Sequence, residues 1–285
     1  MIALSVILLL ASGQTVETID ESFEVTGRPR ILVSNEDGRT ELRSHAENRV
    51  AIHVTKEVVG ASSQEEAERL ARDVEVRITE TGASIEAQTI YPSADWSFDG
   101  DVRVLVHMEI QAPRQSDLDV STADGRLTVE GFEGDLRLST EDGDLSATGC
   151  SGSVRAKGED GDVSLLGFEG EVDAGIEDGD LRIEGTLHRL VAEAEDGDLD
   201  IRLAPASRMS ADWSLRVMDG GIRMRVPSEF AAELDVDTDD GSIDVDLEAT
   251  VSGNLTEGRL FGSVNGGGYQ LRIRTEDGSV HLSSH

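Results

Sequence analysis

The chain has little of what usually holds a small exported or globular protein together. It carries one cysteine, Cys150, so no disulfide can form within it, and stability must come from packing and backbone hydrogen bonds. Aromatic residues fill only 4% of its 285 positions, which argues against a thick globular core and for a thin aliphatic one. Lysine occurs only at Lys56 and Lys157, and all basic residues together number 25 against 58 Asp and Glu. The resulting net charge of −33 repels phosphate backbones and anionic lipid, which excludes nucleic acid as a partner class.

The N-terminus is the one long apolar run. Met1 to Gly13 has signal-peptide length and closes on the small residues Ala11 and Gly13, although no Lys or Arg precedes it. It is too short to span a bilayer as a stable anchor, and no cysteine follows it that a lipid could modify. The expectation is export to the periplasm, the cell surface or the medium, with residues 1–13 removed and no stable membrane anchor in the mature chain.

What is abundant is glycine at a fixed interval. It returns every nine residues at Gly125, Gly134, Gly143, Gly152, Gly161, Gly170, Gly179 and Gly197, and only His188 interrupts the series. Two residues after each mark the chain is apolar: Leu127, Leu136, Leu145, Val154, Val163, Val172, Leu181, Leu190 and Leu199. Two further on stands a second apolar or small series, from Val129 and Leu138 to Ala192 and Ile201. Such alternation turns one face of a short strand inward, and a fixed short period marks a stacked repeat.

The true period is eighteen. Alternate junctions carry Glu-Asp-Gly-Asp, at 141–144, 159–162, 177–180 and 195–198, and the junctions between them carry Gly-Phe-Glu-Gly or Gly-Cys-Ser-Gly. Two strands and two unlike corners per coil predict an all-β fold, a two-sheet parallel β-solenoid with 18-residue coils spaced about 4.8 Å apart. Asp beside the corner glycine is expected to bond its own backbone within the turn. Residues 116–285 form the solenoid repeats in this reading, and 14–115 an irregular N-terminal β region of the same continuous domain. One short helix is expected near residues 63–72, where Ser63 and Glu66 fit a capping box. Asn254 to Gly268, rich in glycine and polar residues, reads as a loop.

Stacking of coils should align the corner acids into ladders. The candidate metal ligands are Asp142, Asp160, Asp178 and Asp196 in one row and Asp144, Asp162, Asp180 and Asp198 in another. Carboxylates one strand apart repel, and Ca²⁺ would relieve that. The Gly-Gly-x-Gly-x-Asp signature of calcium-binding rolls is missing, however, so turn aspartates solvated by water are the favoured reading and no cofactor is expected. Catalytic residues are not evident. Paired acids are too numerous to single one out, and the six histidines show neither metal-ligand spacing nor a neighbouring nucleophile motif. Phe132, Cys150, Phe168 and Leu187 share one place in successive coils and read as a packed corner row, with an exposed apolar stripe as the alternative.

Three stretches resemble the bacterial putative-adhesin family of exported β-solenoid proteins. They are Phe23 to Gly38 with the Glu-rich segment at 63–72, Val104 to Pro113 leading into Leu118 to Gly125, and Gly262 to Val280. The resemblance implies a coil and no active site. The expected function is an exported cell-envelope scaffold or adhesin-like surface-binding protein, not an enzyme, with a protein or an envelope glycan surface as partner. A calcium-dependent assembly module and a polysaccharide-active β-helix enzyme are the alternatives.

Overall fold

The computed structural model describes residues 9–11, 14–92, 102–247, 251–256 and 258–285. The expected leader, residues 1–13, lies largely outside them. Among the described residues the fold is all-β with one helix, and the chain forms two compact units, residues 1–134 and 135–285.

The first unit contains β1 (Leu9–Ala11), β2 (Gln14–Glu24), β3 (Arg30–Asp37), β4 (Thr40–His45), β5 (Arg49–Val59), α1 (Gln64–Asp73), β6 (Glu75–Thr81), β7 (Ser84–Ile90), β8 (Arg103–Pro113), β9 (Asp117–Asp124) and β10 (Leu127–Glu130). Its inner coil is the one made first. β3 runs parallel between β7 and β9, so Val33 faces both Ala87 and Val120. β4 likewise lies between β8 and β10, where Leu42 faces Ile110 and Val129. Antiparallel strands finish the unit: β5 pairs with β8 and β2, and β6 with β7.

Helix α1 starts where its sequence signals say. Ser63 Oγ accepts the Glu66 amide at 3.2 Å, but the Glu66 carboxylate reaches back to the Ser62 amide and hydroxyl, one residue beyond the usual box partner. Ala67, Leu70 and Ala71 form its buried face. Its far end is closed by Lys56, 4% exposed, whose ammonium donates to the carbonyls of Ala71 (3.0 Å) and Val74 (2.7 Å) and to Glu17 (3.3 Å). A cation on the last carbonyls satisfies orphan acceptors and the helix dipole together. One of the two lysines is therefore structural.

The second unit follows a division inside β11 (Glu133–Asp142). It holds β12 (Leu145–Thr148), β13 (Ser151–Asp160), β14 (Val163–Asp178), β15 (Leu181–Asp196), β16 (Leu199–Leu203), β17 (Trp213–Asp219), β18 (Ile222–Val226), β19 (Ala232–Asp240), β20 (Ile243–Asp246), β21 (Val251–Thr256), β22 (Arg259–Val264), β23 (Gln270–Asp277) and β24 (Val280–Ser284). The eighteen-residue coil is present as read: Leu145 pairs in parallel with Val163, Val163 with Leu181 and Leu181 with Leu199. All four side chains are fully buried, as is Leu127 at the equivalent place in the first unit. Each such burial contributes roughly 1.5–3 kcal/mol. The opposite column is narrow, with Ala156, Ala174 and Ala192 in register. His188 enters as a bulge: Gly170 pairs with Leu187 and Glu171 with Arg189, which offsets an opposite slip at Gly167.

The sequence reading expected a two-sheet parallel solenoid; the pairing is mixed instead, with antiparallel strands in both units. The order of coils also departs from chain order. β23 lies between β17 and β19, so Ile273 faces Leu215 and Val236, and β24 lies between β18 and β20. The expected loop at 254–268 is largely a hairpin, β21 antiparallel to β22, and β22 extends the sheet from β19. Its glycines conceal a two-residue alternation in which Leu260 and Val264 are buried.

Leu145→Asp is expected to cost about 3 kcal/mol or more, because an unpaired charge would enter a dry column. Ser146→Asp, one residue over and facing outward, should change stability by less than about 0.5 kcal/mol. Denaturant melts of both variants check the register, and equal losses would refute it.

Candidate functional site

The acidic corner is built by its backbone. The Gly143 amide donates to the Asp160 carbonyl and the Leu145 amide to Asp162, and the same pair of bonds repeats at 161/163, 179/181 and 197/199. Glycine is obligatory where these turns stack. Gly197 has φ +144°, and a Cβ there would collide with the carbonyl of Gly179 directly beside it.

The two aspartate rows do different things. In the row of Asp144, Asp162, Asp180 and Asp198, each carboxylate accepts a backbone amide of the next coil. Asp144 takes the Asp162 amide at 3.3 Å, Asp162 that of Asp180 at 3.0 Å, and Asp180 that of Asp198 at 3.0 Å. Asp198 ends this run on the Gly221 amide (2.8 Å) and Arg223 (2.9 Å). The expectation of an Asp bonding its own turn is corrected: the bond runs between coils, which a linear sequence does not display. The row of Asp142, Asp160, Asp178 and Asp196 faces water. Asp160 is held above the ordinary carboxylate range by lost hydration among the stacked groups and then by the charges of Asp142 and Asp178. Among the described residues, no group of three or more His, Cys, Asp or Glu has the arrangement to hold a metal ion.

A related corner in the first unit is less solvated. Asp37 and Asp124 are register partners, and the Gly38 amide donates to the Asp124 carbonyl. Burial, followed by the Asp124 charge, pushes Asp37 up to about 6. Tyr91, whose hydroxyl donates to the Val104 carbonyl at 2.9 Å, is pushed up by burial and by the charges of Asp37 and Glu36.

The other corner row is packed. Phe132, Cys150, Phe168 and Leu187 are each at most 1% exposed, so the apolar-stripe alternative is overturned. The histidines remain dispersed: His53 bonds Asp20 at 2.7 Å, His281 bonds Asp244 at 3.0 Å, and His107 accepts the Arg39 amide. Sequence reasoning did not find the grooves on the outward faces of the strands. A shallow groove of about 390 Å³ opens where Gly175 leaves bare backbone between Lys157 and Glu193, with Arg216 and Met218 on its rim. A smaller one of about 220 Å³ is lined by Arg137, Arg155, Asp173 and Arg189. The signal for such features is a period-18 comparison of outward positions, which is weak because those positions are varied.

A family model described as Toastrack DUF4097 matches residues 30–283. No curated protein matches the chain. Among solved structures, the chain is similar to one described as a "putative cell adhesion protein" from Clostridium sporogenes, at 11% identity and a TM-score of 0.31, covering 94% of this chain and 100% of that one. A "putative adhesin" from Bacteroides fragilis gives 11%, 0.39, 94% and 97%. A "putative lipid binding protein" from Parabacteroides distasonis gives 10%, 0.40, 93% and 96%.

Two outcomes follow from the corners. Asp180→Ala should lower stability by about 0.5–1.5 kcal/mol, since the Asp198 amide loses its acceptor, while Asp160→Ala should leave the melting temperature unchanged or raise it. The reverse order would refute the division of labour between the rows. For Asp37, the folded state holds its proton more tightly than the unfolded chain. Stability at this site therefore rises as pH falls from above 6 towards 4, where the unfolded group also protonates. Asp37→Asn should raise the melting temperature at pH 7.5 and flatten its rise between pH 7 and 4.5.

Proposed function

The chain belongs to the Toastrack DUF4097 family, and on that premise we propose that it is an exported, non-catalytic envelope protein whose coils serve as a scaffold for binding a surface. The observation that carries this reading is the use made of the corner acids. Asp144, Asp162 and Asp180 are engaged by amides of the next coil, so the most prominent carboxylates stabilise the stack. The outer faces of the strands, mixed in charge and lined by shallow grooves, are left for contact. The leader-like N-terminus and the net charge of −33 fit a secreted or periplasmic setting, with the repeat read as two facing parallel sheets. No helix among the described residues is long and apolar enough to cross a membrane. A protein or an envelope glycan is the partner in this proposal.

The water-facing row at Asp142, Asp160 and Asp178 favours one second reading, calcium-dependent assembly, because a hard cation would relieve its repulsion. Cell fractionation and melts decide between them. The mature protein should leave the cytosol with its N-terminus trimmed near residue 13, and pull down with isolated envelopes. Its melting temperature in NaCl and in CaCl₂ at equal ionic strength should agree closely, both above the value in low-salt EDTA, as screening requires. Full-length protein retained in the cytosol would sink the export reading. A chain that folds or associates only with Ca²⁺ would establish the assembly module.

A further inference from the structure

The outward face of β22, β19 and β23 carries nine side chains in a regular grid. Partners across a ladder point to the same face, so the pairings set three rows: Ser263, Glu233 and Gln270; Phe261, Asp235 and Arg272; Arg259, Asp237 and Arg274. Eight of the nine are polar. The exception is Phe261, 44% exposed in a chain with only six Phe, two Tyr and two Trp. Arg259 lies over its ring at 4.4 Å from the centroid.

The polar members are tied into one network. Asp235, only 8% exposed, takes Arg274 at 2.8 Å, Gln270 at 3.3 Å and Arg272 at 3.8 Å. Arg272 donates to the Gln270 side-chain oxygen at 2.8 Å, and Ser263 to Glu233 at 2.7 Å. The other Asp235 oxygen, Oδ1, is buried without a hydrogen-bond partner. Three arginines and three carboxylates on the grid cancel, which makes it locally neutral in a chain of net charge −33.

We propose that this grid, with Phe261 as its platform, is a binding site for a neutral oligosaccharide. The chemistry fits in three ways. Vicinal hydroxyls both donate and accept, and the grid sets amide, guanidinium and carboxylate groups side by side. The apolar face of a pyranose stacks on an aromatic ring, here in place of the Arg259 guanidinium that lies over Phe261. Three strands about 4.8 Å apart, with same-face residues about 6.8 Å apart along each, give a surface long enough for two or three sugar units. A network already held by its own hydrogen bonds loses little freedom on binding. Local neutrality disfavours a charged polymer. The inference rests on the surface-binding role and gives it a location and a ligand class.

The test is affinity electrophoresis of the full chain in gels containing dextran, galactomannan, xyloglucan or, as an anionic comparison, polygalacturonate. Retardation by at least one neutral polysaccharide is expected. It should fall about tenfold or more in Phe261→Ala and in Arg272→Ala, and be unchanged in Arg202→Ala, an exposed position on β16. Circular dichroism melts verify that the variants fold; if Phe261→Ala does not, Phe261→Tyr must retain retardation while Gln270→Ala reduces it. Retardation by none of the neutral polymers, or retardation indifferent to these substitutions, overturns the proposal. Binding of wild type to isolated envelopes separates the two readings: envelope binding that survives Phe261→Ala rejects the grid but keeps the surface role, and no envelope binding at all rejects that role.

Discussion

The fold depends on one short contact, the close stacking of corner turns. A Gly amide meets the carbonyl of the Asp before the next corner, and two residues on an apolar amide does the same. This bonding fixes the coil-to-coil register, and register decides which side chains face the core, because a slip of one residue would exchange the faces of every strand. The tolerance is small: at Gly197 there is no room for even one carbon between adjacent backbones. The aspartates at 144, 162 and 180 reinforce the same step with a second bond. The acid-rich corner is thus part of what holds the repeat at its period.

The repeat was legible in the sequence because local and long-range signals coincide there. A glycine that takes positive φ, an acid at the turn and apolar residues two and four positions on all recur at one period, so the partner of Val163 can be named without a structure. Where the period fails, so does the reading. β22 carries the same alternation as the coils, but glycines surround it and its partner is antiparallel, so the segment resembled a loop. β23 and β24 have the residues of an ordinary coil, and nothing in their sequence says that they lie inside another.

The candidate sites were legible to a lesser degree. Composition located the acidic corner but could not separate its two rows, because Asp142 and Asp144 differ only in whether a neighbouring amide lies within reach. The network around Asp235 was invisible for a related reason: Gln270 and Arg272 are distant from Asp235 in the chain and meet it only through the changed coil order. Lys56 shows the same limit, since its role as a helix cap depends on α1 settling on the sheet beside it.

The placement of β23 and β24 has a consequence for how the protein comes into being. During synthesis the coil of β17 and β18 emerges first and stacks on β15 and β16, and the coil of β19 and β20 emerges next, yet the place between these two coils is filled only by residues 270–284, which emerge last. Until then two sheet edges stand open, and the nascent chain is most prone to the wrong partner at that stage. The first unit faces the opposite problem, because β3 and β4 are made early and must wait for strands more than forty residues away. A chain that closes its gaps so late gains from a net charge of −33, which keeps unfinished copies apart.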